Sequence, residues 1–496
     1  MKGKIIALDQ GTTSSRAILF DQDGTLLDQF SEDFQCIYPA SGWVEQDPME
    51  IWLSQLACLV AILEKNNLNL DQIDALGITN QRETIIAWNK ENGEPIHNAI
   101  VWQCRRTADF CDLLKEEGFE DVIRKKTGLL ADPYFSGTKI RWLLQNIPEA
   151  SSLAKKGKLA VGTVDSWLIW NLTNGNTHVT DVTNASRTQL FNIHTLSWDQ
   201  EILERFDIPE SILPRVVPSM GAIATADSQI FGSSVLITGV AGDQQAALFG
   251  QACFEKGMAK NTYGTGCFLL MNTGNKPVNS QSGLLTTIAW QDNEETVYAL
   301  EGSVFVAGAA IQWLRDGLSL FKDADETEAI AQEVSSTGGV YLVPAFVGLG
   351  APHWDSYARG TLIGLTRDTN RSHIVRAGLE SIAYQSFDVL TSMEKDLGEN
   401  LYELRIDGGA SKNNFLCQFQ ADLLGCDVIR PKITETTAMG AAFMAGLAAG
   451  TWKSTKELES LWKEDRVFSP KASRKAFQSQ VTGWHKAVER SKNWSC

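Results

Sequence analysis

The chain begins with two apolar runs around a short polar centre. Residues 5–20 read IIALDQGTTSSRAILF, in which one glycine and four consecutive hydroxyl residues separate the runs. Apolar runs of this length around turn-forming residues predict the two strands of a β-hairpin. The first strand would carry Asp9 to the mouth of the sheet, next to the turn.

A second hairpin of the same kind is predicted at residues 261–271, NTYGTGCFLLM, where a glycine and threonine turn separates strand-like runs. Its glycine spacing is neither a Rossmann fingerprint nor a P-loop. Two such hairpins half a chain apart predict two similar α/β domains that face one cleft. A chain of 496 residues is also longer than one hydrophobic core usually supports. We therefore expect one domain at residues 1–252 and a second at 253–496.

Helical periodicity fills much of the chain between and after the hairpins. Asp47 and Pro48 have the residue types preferred at an N-cap and a first helical position. An Ala- and Gly-rich segment near the C-terminus predicts a helix that packs closely on its neighbours. Helices are predicted at 48–63, 137–146, 302–314 and 437–450, with a basic, aromatic surface helix after residue 462.

The polar centre of the first hairpin has the chemistry of a phosphate site. Gly11 allows backbone N–H groups to approach a ligand, and the hydroxyl residues beside it add donors. Arg16 supplies a planar cation that suits phosphate oxygens, and the carboxylate of Asp9 suits Mg²⁺. Together these groups suit a nucleoside triphosphate, with an ordinary polar turn as the alternative.

A strand-like run at residues 234–242 leads directly into Asp243, which begins a predicted helix. The helix dipole favours an ionised carboxylate at that position. A plain N-cap is one interpretation of Asp243. The glycines that precede it favour a site residue, because they would clear space for a ligand.

Residues 73–88 predict two strands around the polar residues Gln81, Arg82 and Glu83. A salt-bridged turn could produce this pattern, but an Arg-Glu pair between buried runs more often faces a pocket. The aromatic residues Trp102 and Tyr134 follow in short strand and loop segments, and by themselves they would indicate only a core.

Composition narrows the function classes. The net charge of −16 argues against nucleic acid or an anionic membrane as the main partner. Nine scattered cysteines without a Cys-x-x-Cys pair indicate a reducing compartment, and the isolation of the six histidines argues against a transition-metal site. No signal peptide or membrane-length apolar run is apparent in the sequence, so we expect a cytoplasmic protein.

With these segments in place, the chain resembles the FGGY family of carbohydrate kinases over essentially its whole length. Two further patterns typical of the family lie around residues 134–142 and 360–381. Within the family, the blocks are most similar to those of members that phosphorylate glycerol. The most specific blocks are GWVEQDP at 42–48, GDQQAALFG at 242–250 and NTYGTG at 261–266.

The resemblance implies two actin-like, RNase H-like ATPase domains with the catalytic cleft between them. It implies ATP-dependent phosphorylation of glycerol to sn-glycerol 3-phosphate, with Mg²⁺, in a homo-oligomer that is a dimer or a tetramer. Asp243 would be the general base, Arg16 and Asp9 would assist it, and Asp9 and Asp243 would hold the metal. A small triol needs polar partners for its hydroxyls and an apolar wall for its carbons.

The resemblance also assigns individual contacts. The residues implied for ATP are Thr12, Thr13, Ser14, Arg16, Thr265, Gly308, Gln312, Gly409 and Asn413. The residues implied for the polyol are Arg82, Glu83, Trp102, Tyr134, Asp243, Gln244 and Phe268.

The chain departs from the family at two regulatory positions. Relatives inhibited by fructose 1,6-bisphosphate carry an arginine where Ser234 stands here, and those activated by phosphorylation carry a histidine where Gln229 stands. Both kinds of regulation are therefore in doubt. Two other functions stay open at this point: a kinase of another polyol or ketose such as xylulose, and an actin- or chaperone-type ATPase, which would need no polyol pocket.

Overall fold

The structure is a computed structural model that describes residues 3–495. In the first part of the chain the strands are β1 (Lys4–Gln10), β2 (Ser14–Asp21), β3 (Leu26–Asp33), β4 (Glu45–Gln46), β5 (Ala75–Asn80), β6 (Ile85–Asn89), β7 (Ala99–Ile100), β8 (Leu159–Thr163), β9 (Val179–Asp181), β10 (Phe191–Asn192), β11 (Ser197–Trp198), β12 (Arg215–Val217), β13 (Met220–Ala226) and β14 (Val235–Gly242). The helices there are α1 (Pro48–Lys65), α2 (Ala108–Glu116), α3 (Glu120–Thr127), α4 (Ser136–Asn146), α5 (Pro148–Lys155), α6 (Val164–Leu172), α7 (Val182–Ala185), α8 (Gln200–Phe206), α9 (Ser228–Phe231) and α10 (Asp243–Gly250).

In the second part the strands are β15 (Ala259–Tyr263), β16 (Cys267–Gly274), β17 (Leu285–Gln291), β18 (Thr296–Val304), β19 (Tyr341–Val343), β20 (Thr361–Ile363), β21 (Glu403–Asp407), β22 (Asp427–Pro431) and β23 (Glu464–Phe468). The helices are α11 (Gly308–Asp316), α12 (Thr327–Gln332), α13 (Arg371–Leu397), α14 (Asn414–Leu424), α15 (Thr436–Ala449), α16 (Thr455–Leu461) and α17 (Gln478–Ser491).

Each part of the chain is organised around one large mixed sheet. The first has the strand order β13-β14-β5-β1-β2-β3, and the second has the order β17-β18-β16-β15-β21-β22-β23. In both sheets a hairpin pairs in parallel with a later strand, β1 with β5 and β15 with β21. A further sheet of order β4-β7-β6-β8 extends the first part. The α/β fold class predicted from the sequence is confirmed.

Both predicted hairpins form, and both are built on strands buried on their two faces. Strands β1 and β2 pair in register with Asp9 opposite Arg16, and β15 and β16 pair with Thr262 opposite Phe268. Because each inner strand is covered on both sides, it reads as a nearly continuous apolar run rather than an alternating one. The turns are thereby left as the polar segments, at the ends of the strands.

Two helices near the middle of the molecule are exchanged between the parts. Helix α10 follows the first sheet in sequence but packs on strands of the second, while α15 packs on β1, β5 and β14 of the first. The two helices also pack against each other so closely that a Cβ on Gly440 would lie 1.8 Å from the carbonyl oxygen of Ala246. The predicted close packing of the segment 437–450 is confirmed, and the reason is this helix crossing.

The boundary between residues 252 and 253 stays a prediction. It does separate the strands of the two large sheets. It does not separate the helices that pack on those sheets, because α15, from the second part, contributes Met439 and Phe443 to a core shared with Ile5 and Phe20 of the first sheet.

Two predicted helices differ from the structure. Gly302 lies inside strand β18, and the helix begins later, at Gly308. The small residues at 302–310 predict a helix start, but the first of them belong to a strand. The segment after residue 462 begins as the strand Glu464–Phe468, and the predicted surface helix comes later, at Gln478–Ser491, with one face exposed and the other buried at Trp484, which is 1% exposed. Tertiary packing overrides local pattern in both segments. Among residues 3–495, none of the helices has the length and apolar character that a bilayer crossing requires.

Candidate active site

The turn of the first hairpin lies at the carboxyl end of β1, beside a chain of buried amides. The N–H of Gly11 donates to the carbonyl of Ser14 at 2.9 Å and closes the turn. Thr12 is fixed on two sides, because its hydroxyl accepts the indole N–H of Trp102 at 3.0 Å and its carbonyl accepts from Gln46 at 2.6 Å. Thr13 at the tip is exposed. The turn therefore presents its hydroxyls and backbone from a rigid base.

Asp9 and Arg16 form an ion pair at the foot of this turn. The Arg16 guanidinium lies 2.9 Å from Asp9 and 2.6 Å from Glu435, which begins the exchanged helix region. Burial raises the pKa of Asp9 to about 6 against the opposing effect of Arg16, with Glu435 and Asp243 adding to the rise. The sequence did not indicate Glu435, because it lies 419 residues from Arg16 and no motif around it predicts that the two side chains meet.

The predicted polyol residues Arg82 and Glu83 lie in a buried cluster of charges after strand β5. Arg82 is 2% exposed, and its Nε lies 3.0 Å from Oδ1 of Asp243 in an ion pair. Glu83 is 1% exposed and has a φ of 61°, a left-handed conformation that is unusual for a side chain of this kind. Backbone strain of this type is concentrated at functional sites.

Two residues that the sequence did not indicate complete this cluster. Glu301 on β18 accepts two hydrogen bonds from Arg82, at 2.6 and 3.0 Å, and one from Arg187 at 3.0 Å. Arg187 also donates to Glu83 at 2.7 Å. Burial alone would raise the pKa of Glu301, but Arg187 and Arg82 outweigh it and lower the pKa to about 2.

Asp243 begins helix α10, as predicted, with one oxygen engaged and the other free. Its Oδ1 accepts from the backbone N–H of Gln244 at 2.7 Å and forms an ion pair with Nε of Arg82 at 3.0 Å. Within residues 3–495, Oδ2 accepts no hydrogen bond, and about a third of the side chain (32%) is exposed. The carboxylate is thus held by one oxygen while the other faces the open side of the site.

The aromatic residues form a wall next to this cluster. The rings of Trp102 and Tyr134 meet edge to face with centroids 5.5 Å apart, and the guanidinium carbon of Arg187 lies 5.7 Å from the Tyr134 ring. Phe268 is half-buried on the other sheet, opposite Thr262 on strand β15. The first two rings are brought together with the charges, whereas Phe268 approaches from the second part of the chain.

A buried lysine that sequence reasoning missed holds Gln244. Lys260 on β15 donates to the side-chain oxygen of Gln244 and to the hydroxyl of Thr262, the latter at 3.0 Å. Burial lowers the pKa of Lys260 to about 8. Since the amide oxygen accepts from Lys260, the NH₂ group of Gln244 is the end left to serve as a donor.

The second hairpin packs on the helix that carries two predicted nucleotide residues. The N–H of Gly308 donates to the carbonyl of Gly264 at 3.0 Å, and Thr265 accepts from Ala307 and Ala309 through its carbonyl. The side chains of Thr265 at the turn and of Gln312, one helical turn beyond Gly308, are exposed. These residues therefore line one open surface at the end of the second sheet.

Gly409 and Asn413 follow the next strand, β21. A Cβ on Gly409 would meet nothing within 4 Å, so this backbone faces open space, as a site for a flat ring requires. Asn413 is the N-cap of α14 and accepts from Leu416 N–H at 3.0 Å, while its NH₂ donates to Thr327 at 3.1 Å. Its side chain thus already has partners on both atoms.

Comparison with known proteins decides the family. The model of the FGGY family of carbohydrate kinases, N-terminal domain, matches residues 4–250, and that of the C-terminal domain matches residues 259–449. The chain belongs to the FGGY family of carbohydrate kinases. The relatives include glycerol kinases of Symbiobacterium thermophilum, 58% identical over 100% of this chain and 99% of that protein, and of Paraburkholderia phytofirmans, 58% identical over 99% and 98%.

Solved structures agree with this FGGY assignment. The glycerol kinase of Plasmodium falciparum with ADP has a TM-score of 0.93 at 39% identity and covers 98% of both chains. The xylulose kinase of Lactobacillus acidophilus has a TM-score of 0.87 at 24% identity, covering 98% of this chain and 96% of its own, which concerns the fold alone. The predicted family and the two-domain actin-like fold are confirmed.

The glycines before Asp243 in this FGGY chain have a different purpose from the one predicted. A Cβ on Gly242 would lie 2.7 Å from the Arg82 side chain, and one on Gly239 would lie 2.5 Å from the backbone nitrogen of Ala445 on α15. The space is therefore filled by the protein itself. The expectation that these glycines clear room for a ligand was wrong. The absence of a side chain at Gly242 instead makes room for Arg82, which is itself a predicted site residue.

The carboxylates of Asp9 and Asp243 fit the Mg²⁺ ion that an ATP-dependent kinase would use. Asp9 and Asp243 are close enough for Asp243 to raise the pKa of Asp9, and the buried Oδ2 of Asp9 accepts no hydrogen bond in the described chain, although it lies 2.9 Å from Nη2 of Arg16 in an ion pair. Mg²⁺ in nucleotide sites keeps several waters and takes one or two carboxylates together with phosphate oxygens. Two carboxylates suffice for that arrangement, and a cage of three or more acidic, His or Cys ligands is absent from residues 3–495.

The two regulatory positions lie together at the edge of the first sheet. Gln229 is in the short helix α9, and Ser234 follows Gly232 just before β14. Ser234 also lines an open cavity of about 630 Å³ with residues of β13. Neither side chain carries the positive charge or the imidazole that the two kinds of regulation require.

Proposed function

We propose that this FGGY kinase transfers the γ-phosphoryl group of ATP to a terminal hydroxyl of glycerol and produces sn-glycerol 3-phosphate and ADP. The observation that carries the proposal is the geometry of Asp243, which is fixed through Oδ1 by Arg82 and has Oδ2 free. The full-length relatives named as glycerol kinases support the same substrate.

Substrate recognition follows from the mixture of charges and rings around that carboxylate. Arg82 and Glu83 offer a donor and an acceptor for two neighbouring hydroxyls, and Gln244 offers an amide donor. Trp102 and Tyr134 cover the carbon chain. A triol is small enough for all of its polar atoms to be paired in such a pocket, and an analogue that lacks one hydroxyl would leave a buried group unpaired.

Phosphoryl transfer requires positioning and charge stabilisation more than covalent chemistry. Thr12, Thr13 and Ser14 would bind phosphate oxygens from the first hairpin, with Thr265 opposite them in the second. Arg16, held by Asp9 and Glu435, would spread the charge that develops on the transferred group. In this arrangement Asp243 aligns the glycerol hydroxyl and accepts its proton as the bond to phosphorus forms.

Asp9 and Asp243 would hold Mg²⁺, which neutralises phosphate charge when it is bound. The adenine and ribose would lie against Gly308, Gln312, Gly409 and Asn413. Because Asn413 already caps α14, its contribution there is through the position of the helix end rather than a free amide. Closure of the cleft over both substrates would exclude water as a competing acceptor.

A coupled assay of ADP release against a panel of polyols and sugars tests the proposal. We expect glycerol to saturate at the lowest concentration, with xylulose, ribitol and gluconate much poorer. Faster turnover of a ketose than of glycerol would favour the alternative of a sugar kinase. ATP hydrolysis that no polyol accelerates would favour an actin- or chaperone-type ATPase.

The setting of the reaction is part of the same proposal. We place it in the cytoplasm, in agreement with the free thiols of the eight cysteines that lie within the described chain. We also propose a homo-oligomer, either a dimer or a tetramer, which a mass measurement in solution tests.

A further inference from the structure

The carboxylate of Glu301 lies between the two arginines of the polyol site, although it belongs to a strand of the second sheet. It is fully buried and accepts three hydrogen bonds, two from Arg82 and one from Arg187. We infer that Glu301 is a positioning residue that sets the specificity for glycerol by holding both arginines in place. The inference rests on the proposed function and adds a residue to it.

The contact with Arg82 determines where that side chain can point. The two Nη atoms meet the two oxygens of Glu301 at 2.6 and 3.0 Å, in the paired geometry that fixes a guanidinium plane. Gln245 accepts a further bond from Nη1 at 3.2 Å. Nε is then directed to Asp243 at 3.0 Å. The orientation of the proposed base thus depends on Glu301 through one intervening arginine.

The contact with Arg187 fixes the other predicted polyol residue. Arg187 joins Oε1 of Glu301 at 3.0 Å to Oε1 of Glu83 at 2.7 Å. Within residues 3–495, Oε2 of Glu83 accepts no hydrogen bond, which leaves it available to a substrate hydroxyl. Nη1 of Arg187 is buried and likewise has no partner in the described chain. The left-handed backbone of Glu83 is held in place by this same contact.

The cluster therefore forms one connected unit, Asp243–Arg82–Glu301–Arg187–Glu83, with Glu301 at its centre. Each end of the unit carries one carboxylate oxygen without a partner. Two such acceptors, set at a fixed separation by rigid guanidinium planes, would select a small polyol by the spacing of its hydroxyls. Loss of the central carboxylate would release both ends at once.

The test compares Glu301→Gln with Glu380→Gln in steady-state assays that vary glycerol and ATP separately. Glu380 is a matched control, because it is also buried and ion-paired, with Arg376 at 2.7 Å, but lies outside this cluster. For Glu301→Gln we expect the KM for glycerol to rise by roughly 10- to 100-fold, the loss of charged hydrogen bonds at a pocket. The KM for ATP should stay within about threefold, and Glu380→Gln should leave both KM values near those of the unaltered enzyme.

A conservative variant separates positioning from simple folding. Glu301→Asp keeps the charge and should recover part of the glycerol KM, and Arg187→Lys, which keeps a charge but loses the fork, should raise it. A folded Glu301→Gln enzyme with an unchanged glycerol KM, or an equal rise of the glycerol and ATP values, overturns the inference. Should Glu301→Gln fail to fold, Arg187→Lys carries the test alone, and failure of both to fold assigns the pair to stability and also overturns it. The proposed function fails separately, if the unaltered enzyme does not release ADP with glycerol.

Discussion

The substitution Asp243→Asn separates a catalytic role for this residue from a purely structural one. In the structure, Oδ1 accepts from the N–H of Gln244 at 2.7 Å and lies 3.0 Å from Nε of Arg82 in an ion pair, while Oδ2 accepts no hydrogen bond within residues 3–495. The single oxygen of an asparagine would take the place of Oδ1, since the N–H of Gln244 and the positive charge of Arg82 both lie there. Its NH₂ group would then replace Oδ2, and a donor would stand where the glycerol hydroxyl needs an acceptor.

The size of the effect follows from what is kept and what is lost. Arg82 keeps its paired contact with Glu301, so the cluster should stay folded. The N-cap of α10 is Gly242, so the substitution at Asp243 removes no side-chain cap, contrary to the N-cap interpretation from the sequence. What disappears is the base, and general-base catalysis typically contributes roughly 10²- to 10⁴-fold, or about 3–5 kcal/mol of the barrier at about 1.4 kcal/mol per tenfold.

Single-turnover kinetics with saturating glycerol and ATP measure this loss directly. We expect the rate of Asp243→Asn to fall by roughly 10²- to 10⁴-fold, with ATP binding little changed and glycerol binding modestly weakened. Asp227→Asn is a matched control, because Asp227 caps the short helix α9 through the N–H of Gln229 at 2.8 Å, away from the site. A near-normal rate for Asp243→Asn would refute the assignment of the base and leave Asp243 as an ion-pair partner of Arg82 at the first position of α10.

Three further predictions concern substrate binding, regulation and pH. Glu83→Ala should leave buried donors unpaired at a cost of roughly 1–3 kcal/mol, so that the glycerol concentration for half-saturation rises about 5- to 150-fold while ATP binding survives; normal glycerol saturation would contradict the pocket. With Ser234 and Gln229 at the regulatory positions, fructose 1,6-bisphosphate should not inhibit the purified enzyme, nor should a sugar-transport phosphocarrier protein activate it; clear inhibition would show that another loop binds the bisphosphate. Burial, together with Asp181 beside it, raises the pKa of Asp165 from 3.8 to about 7. Because the folded state holds this proton more tightly than the unfolded state, the raised pKa adds to the free energy of unfolding. This contribution is complete below about pH 4 and is lost as the pH rises through about 7. Thermal midpoints should therefore fall more between about pH 5 and 8 in the unaltered protein than in Asp165→Asn, and equal slopes would refute the shift.

Local chemistry was sufficient to predict the elements that carry the site. The two hairpins and the helix that starts at Asp243 follow from short apolar runs, turn residues and helix formers that lie next to one another in sequence. The N-cap at Asp47 also forms, with Met49 N–H donating to it at 2.8 Å. Each of these features depends on contacts between residues that lie close together in the chain, so the local sequence is sufficient to predict it.

The residues that the sequence did not reveal act through distant contacts. Glu301 lies 219 positions from Arg82, and in its own strand it is one polar residue among apolar neighbours. Arg187 and Lys260 are likewise single charges whose partners come from other elements. Periodicity cannot identify such pairs, because it reports which face of an element is buried and not what meets it there. The roles of the individual site residues stay predictions until the variants are measured.

The exchange of helices α10 and α15 has a consequence for how the protein is made. The face of the first sheet that α15 covers includes Ile5 and Ala7, which are synthesised long before α15. Helix α15, which covers this face, ends at Ala449, about 200 residues beyond the end of α10 at Gly250. At a synthesis rate of roughly 5–20 residues per second, about 10–40 s pass between the end of α10 and the end of α15, during which that apolar face stays uncovered. We expect the nascent chain to bind chaperones during this interval, and a transcript truncated before residue 436 to yield an insoluble product rather than a folded first domain.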